Sequence, residues 1–198
     1  MLSIAQSVLR HHPGGMAEMN SARLSDVSSS RPIKEVSIRQ LSHSATRVRD
    51  MRATRRFYED FLGLPMVTTM IADFDVVTKA PSNYVHCFFQ LSDGSAIAFF
   101  QFEKGYRDEG PPHSSDPYER HMALRVDHKS TVDEFAVKAD QQGIAHFIVD
   151  HDDFYSLYLT DPDGDVVEVT WHKPSLEGLI NCDVASAALE KWFKSANA

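Results

Sequence analysis

The chain has 198 residues and a mass of 22.3 kDa, enough for one compact domain or two small modules sharing a core. Hydrophobic residues make up 42% and charged residues 24%, an ordinary globular balance. The formal net charge of -8 gives no general attraction to phosphate backbones, so nucleic-acid binding is excluded from the expectations. No apolar run approaches the ~18 residues of a membrane span. The opening MLSIAQSVLR is cut short by Arg10, His11 and His12, which argues against a secretory signal. Cys87 and Cys182 lie far apart without motif spacing and read as free thiols of a reducing compartment. The sequence is therefore read as that of a cytoplasmic protein with no membrane partner.

Residues 1–34 are rich in Ser, Met, Arg and Gly and lack a sustained period, so a flexible tail is expected, with a short helix near 4–9. The first half then reads strand, helix, three strands. An extended stretch covers 38–48. Asp50 caps a helix carrying Phe57, Phe61 and Leu62 on one face, ended by Gly63 and Pro65. Strands follow near 66–72, 84–91 and 95–102, the last two joined by Ser92-Asp93-Gly94.

The second half repeats this order. A strand covers 120–126, and Ser130 is expected to cap a helix with Val132, Phe135, Ala136 and Ala139 on one face, ended by Gly143. Strands near 146–149, 154–160 and 165–171 follow, with Asp161-Pro162-Asp163-Gly164 as the last turn. YLTDPDGDVVEV (158–169) lies on FFQLSDGSAIAF (88–99) without a gap. The expected fold is α+β, with two tandem βαβββ modules forming a curved mixed sheet around a central metal-binding cleft. The expected segments are a tail (1–34), a first module (35–104), a Gly/Pro-rich linker (105–118), a second module (119–173) and a C-terminal helical tail (174–198). The terminal helix falls near 184–194.

Ten histidines make any one of them uninformative, and a strand His is more often packed than ligating. Position in the repeat singles out His43 and His121, each in the first strand of its module. Glu168 lies in the last strand of the second module among Val166, Val167 and Val169, where an unpaired carboxylate is costly. Two imidazoles and one carboxylate make a facial triad that holds Fe(II), Mn(II) or a similar ion and leaves positions open for substrate, water or oxygen. The gapless overlay sets Ala98 at the place of Glu168, so the first module offers no carboxylate. Gln101 falls on the opposite face of its strand and is rejected as a ligand.

If the DPDG turn sets Thr160 opposite Val166, then Tyr158 lies opposite Glu168 and shares its face. Tyr158 reads equally as core filler or as a site residue. His86 shares the face of Phe88 and Ala98 and could serve as an acid/base group. His151 and Tyr155 lie on the approach to the hairpin, where loop residues often meet ligands. His113 sits in the linker, where a solvated loop His is the plainer reading. Arg47 and Arg125 stand four residues after their histidines and would either bind an anionic substrate or pair with surface carboxylates.

The paired βαβββ pattern, RRFYEDFLGLP, HMALRV and LYLTDPDGDVVEV together resemble the vicinal oxygen chelate superfamily over about residues 36–173. That superfamily includes glyoxalase I, bleomycin-resistance proteins, fosfomycin-resistance thiol transferases, methylmalonyl-CoA epimerase and type I extradiol dioxygenases. Within it, a fourth protein ligand at the place of Ala98 is usual for glyoxalase I and the epimerase, and it is missing here. The resemblance to extradiol dioxygenases implies His43, His121 and Glu168 as metal ligands and Tyr158 as the tyrosine ten residues before the Glu. It also implies His151 as a displaced match for the substrate-contacting His. The dioxygenases' acid/base His would fall at about Ser95, which cannot do that work, leaving His86 or His113 to replace it.

The resemblance thus implies an Fe(II) extradiol-type dioxygenase acting with O2 on a catechol-like aromatic or another vicinal-oxygen substrate. Tyr158, His151 and His86 would be catalytic; Phe88, Phe100, Phe102, Tyr155 and Arg125 would line the substrate. Two alternatives stay open: an Mn(II) or Zn(II) glyoxalase-like lyase, isomerase or fosfomycin-type thiol transferase, and a metal-free binding protein of the bleomycin-resistance kind. Homodimerisation is expected from the family.

Overall fold

A computed structural model of the chain describes residues 38, 40–103, 116–179 and 182–196. The tail, its expected short helix and most of the linker, His113 included, lie outside the described residues.

The first half runs β1 (His43–Arg47), α1 (Met51–Arg55) continued by a π-helical stretch (Arg56–Phe61), β2 (Met66–Asp75), β3 (Ala80–Gln90) and β4 (Ala96–Phe102). The second runs β5 (His121–Val126), α2 (Lys129–Gln142), β6 (His146–Asp150), β7 (Phe154–Thr160) and β8 (Val166–His172). Each half forms a four-stranded mixed sheet, in the orders β1-β4-β3-β2 and β5-β8-β7-β6. The opening strand is parallel to the closing one in both. The repeat read from the sequence is thus realised as two copies of one topology, and a terminal helix, α3 (Cys182–Ala196), follows.

Local chemistry explains the boundaries. Asp50 caps α1, its side chain accepting from the Arg52 N–H at 2.9 Å. The Leu62 N–H then reaches back five residues to the Phe57 carbonyl at 2.9 Å, which widens the turn. The wide turn brings neighbouring Phe57 and Tyr58 inward together, beside Phe61 and Leu62. The expected strand 38–48 narrows to five residues, starting at His43 because its ladder partner β4 begins at Ala96. Ser130 is not the cap of α2: the helix starts at Lys129 after an extended His128, with no side-chain cap. Gly143, at φ +66°, ends α2 as expected, since only glycine takes that conformation without steric cost.

Strand alternation sorts the side chains into two faces. One face of each sheet packs on the helices, and there Tyr58, Phe61, Phe89, Val132, Leu157, Leu159, Val167 and Val169 are fully or nearly fully buried. The other face carries His86, Phe88 and Phe100 in the first sheet and Tyr158, Glu168 and Thr170 in the second. The open edges of β1 and β5 approach one another, enclosing a small cavity of about 100 Å³ lined by Ser44, Thr46 and Met122 among others. Cys87 is buried and Cys182 exposed, and both are free thiols. Among the described residues no helix is long and apolar enough to cross a membrane.

Candidate active site

The second sheet assembles most of the expected site. In β8 Glu168 is flanked in sequence by valines and is only 7% exposed. The parallel pairing of β5 with β8 sets Ala123 beside Glu168, and His121, one side-chain step earlier on the same face, reaches its carboxylate. His121 Nε2 lies 3.0 Å from Glu168 Oε2. His121 Nδ1 lies 2.6 Å from the Pro117 carbonyl oxygen. A carbonyl can only accept, so Nδ1 carries a proton and donates it there. The Nε2 lone pair is then left facing carboxylate lone pairs, and a proton or a cation must lie between them. The contact serves either a protonated histidine paired with the carboxylate or, with a carbonyl orienting the other nitrogen, a histidine placed to ligate a metal. Two ligands bound about 2.1 Å from one ion at right angles would themselves lie about 3 Å apart.

Tyr158 stands directly opposite Glu168 in the β7–β8 ladder, as the hairpin register required. Burial, then the nearby Glu168 charge, raise the Tyr158 phenol above its ordinary value, so it stays protonated and able to donate. His151 Nε2 lies 3.3 Å from the Tyr158 hydroxyl. His151, Tyr158, Glu168 and His121 therefore form a continuous polar cluster. Phe147, outside the expected site, stacks on Tyr158 with ring centroids 4.9 Å apart. The available signal was the β6–β7 register, which pairs Phe147 with Tyr158.

The first sheet carries the aromatic side. His43 lies 5.2 Å from Phe88 and 6.4 Å from His86, centroid to centroid, and its Nδ1 is 3.1 Å from Ser42 Oγ. The small Ala98, paired with Phe88, occupies the strand between them. His86 stacks on Phe100 at 3.6 Å, and Phe102 stacks beyond it at 6.3 Å from Phe100. His86 is buried, and its Nε2 has no hydrogen-bond partner among the described residues. Burial, followed by the influence of His43, lowers its pKa, so the ring is held neutral.

Some expectations are not met. Among the described residues no three His, Cys, Asp or Glu side chains converge as a metal site, so His43 is not gathered with His121 and Glu168. Tyr155 belongs to the other face of β7, because its offset of three from Tyr158 reverses its direction. Its hydroxyl donates to Asp133 of α2 at 2.8 Å, and Lys129 lies over its ring. Ser95, at the place of the dioxygenase acid/base His, is buried and donates to Asp93 within its own turn. Gln101 accepts from the Met51 N–H at 2.7 Å, a use that agrees with its rejection as a ligand. Arg125 shares the outward face of β5 with His121 and pairs with Thr170 in the ladder.

Two mixed sheets of identical order, each opening on a histidine and closing on a buried strand, define a paired βαβββ α+β protein. The chain belongs to the Glyoxalase/Bleomycin resistance protein/Dioxygenase superfamily, whose family model matches residues 40–169. No curated protein matches the sequence significantly. Among solved structures, a glyoxylase/bleomycin resistance protein/dioxygenase domain from Frankia sp. EAN1pec is similar with a TM-score of 0.55 at 17% identity, over 69% of this chain and 100% of that one. A glyoxalase/dioxygenase from Nostoc punctiforme gives 0.50 at 23% identity, over 68% and 92%. The fosfomycin resistance protein FosX from Mesorhizobium loti gives 0.50 at 22%, over 71% and 97%. These structural likenesses show a shared fold.

Proposed function

We propose that the protein is a metal-dependent enzyme that cleaves a catechol-like aromatic with O2, in the manner of extradiol dioxygenases. The observation that carries this reading is the orientation of His121. Its Nδ1 is committed to the Pro117 carbonyl and its Nε2 faces the buried Glu168 carboxylate at 3.0 Å, a pair of donors fitted to a divalent cation. His43 is the third ligand in this reading, presented by the first sheet of the same chain or of a second copy in a homodimer. Iron(II), when bound, would supply chelation of two vicinal oxygens and electron exchange with O2.

The residues of the chain have distinct tasks. Tyr158 stays a phenol and donates to a substrate oxygen beside Glu168. His151, hydrogen-bonded to Tyr158, positions that phenol and can relay a proton. Phe88, Phe100 and Phe102 offer ring faces to a flat apolar ligand. The neutral His86, whose buried Nε2 has no partner among the described residues, would accept from a ligand hydroxyl that displaces the surrounding side chains.

Anaerobic purification, metal analysis and oxygen uptake with a panel of catechols test the reading. About one iron per chain with catechol-dependent uptake supports it. Mixing His43→Ala with Glu168→Gln protein separates the two sources of His43, because activity returns on mixing only if the site spans two chains. The fixed structural use of Ser95 favours a second reading, a non-oxidative Mn(II) or Zn(II) lyase, isomerase or thiol transferase. Manganese or zinc without oxygen uptake would select it. An apoprotein that takes up no metal on reconstitution would instead indicate a binding protein.

A further inference from the structure

The two halves meet unequally at the two ends of their junction. At one end the Asp161–Asp165 turn folds onto the first half. The Tyr58 hydroxyl donates to Asp161 Oδ2 at 3.1 Å, and the Arg49 N–H donates to Asp163 Oδ1 at 3.0 Å. The gapless overlay of the halves sets Leu91 at the place of Asp161. Counting from the caps Asp50 and His128 sets Ala136 at the place of Tyr58. The other end of the junction therefore has neither the phenol nor the carboxylate. There the structure holds a cavity of about 500 Å³, lined by Leu64, Leu91, Leu124, Val126, Phe135 and Arg125 among others.

The cavity opens to the surface, and its volume falls in the range of small-molecule sites, roughly 300–1,000 Å³. Its walls are mainly leucine, valine and phenylalanine. Arg125 is exposed and has no carboxylate partner among the described residues. Arg125 pairs with Thr170, one side-chain step beyond Glu168, but none of His121, Tyr158 or Glu168 lines this cavity. An unpaired guanidinium at the edge of an apolar cavity recognises a planar anion carried on an apolar body.

We propose that this cavity is a second small-molecule site, separate from the His121–Glu168 centre, for an apolar molecule with one carboxylate head. Arg125 binds the head, and Leu64, Leu91, Leu124 and Phe135 line the body. The repeat is asymmetric here: Leu91 lines open space at this end, where at the opposite end Asp161 closes onto Tyr58.

Calorimetric titration of the full chain with octanoate, and with 1-octanol as the uncharged control, tests this. Saturable octanoate binding is expected, at least about tenfold tighter than octanol, given the strength of charge-assisted contacts. Arg125→Gln should reduce octanoate to the octanol level, while Leu91→Trp should abolish both by filling the cavity. Glu168→Gln should leave binding unchanged. Arg125→Gln alters an exposed side chain, so it remains informative if the tryptophan variant does not fold. The proposal is overturned by absence of saturable binding, by octanoate affinity that survives Arg125→Gln, or by binding that disappears with Glu168→Gln. It is equally overturned if a second copy of the chain, detected by concentration-dependent sedimentation, competes with octanoate.

Discussion

Tyr58 and Asp161, 103 residues apart, join the two halves through a buried hydrogen bond of 3.1 Å. Asp161 Oδ1 also accepts from the Asp163 and Asp165 N–H groups, both at 2.9 Å. Burial, outweighing these bonds, raises the Asp161 carboxyl above its ordinary 3.8. The folded state therefore holds this proton more tightly than the unfolded chain. Asp161 contributes its full stabilisation below pH 3.8 and loses it as pH rises through the folded-state value. Asparagine can keep the backbone bonds through its oxygen and donate its amide N–H to the Tyr58 oxygen. Asp161→Asn should thus gain stability relative to the natural chain as pH rises through that window, then reach a plateau. Urea unfolding at stepped pH measures it, and a stability difference that stays flat with pH would contradict the account.

Removing only the phenol is a different perturbation. Tyr58→Phe preserves the ring packing against Phe57 and Phe99 but deprives a buried carboxylate of a donor. A loss of about 1–3 kcal/mol is expected, the usual cost of leaving a buried polar group short of a partner. Denaturant midpoints at neutral pH, with unchanged slope, would register it. Combining Tyr58→Phe with Asp161→Asn should cost less than the sum, because both act on one bond.

Glu168→Gln should lower metal affinity by more than about 100-fold, since even groups supporting a ligand typically account for 10–100-fold. The fold should persist, because the amide occupies nearly the same volume on β8. Metal analysis after dialysis, alongside circular dichroism, checks both halves of the statement. Retention of full metal would remove Glu168 from the ligand set.

Much of this architecture was legible because the repeat fixes what single segments leave ambiguous. The Tyr158–Glu168 pairing followed from the turn residues and a period of two, and the ladder has that register. The opposite placement of Tyr155 follows from the same period, applied to its offset of three. Sequence proximity to His151 points the other way, and alternation along β7 overrides it. The π-helical turn was not legible, since Phe57, Tyr58, Phe61 and Leu62 fit an ordinary amphipathic helix almost as well. Only a partner 103 residues away, Asp161, explains why Tyr58 turns inward. His121's commitment to Pro117 was equally hidden, because a backbone carbonyl leaves no mark on composition or spacing.

Gly143 offers a test of backbone conformation free of packing. Its φ is +66°, and a Cβ added there would meet nothing within 4 Å. Gly143→Ala should therefore cost about 1–2 kcal/mol from the left-handed conformation alone. Gly143→Asn should cost less, because asparagine tolerates that region better. Thermal unfolding of the pair separates conformational strain from steric overlap, which would penalise asparagine more than alanine.

The cluster of Tyr158 and His151 gives the sharpest check on the proposed chemistry. Tyr158 is held above its ordinary 10.0 by burial first and by Glu168 second, so it should supply no alkaline limb below about that pH. Tyr158→Phe should retain the metal yet lower kcat/KM by about 10²–10⁴, the range for a positioned proton donor. His151→Asn should lower it by a smaller factor, acting through the 3.3 Å contact with the phenol. The double variant should be little worse than Tyr158→Phe alone, because groups working as a unit are not additive. Steady-state kinetics across pH on the four proteins, each with metal content measured, decides the matter. Multiplicative losses would make His151 independent of Tyr158, and an unaffected Tyr158→Phe enzyme would reduce that ring to packing against Phe147.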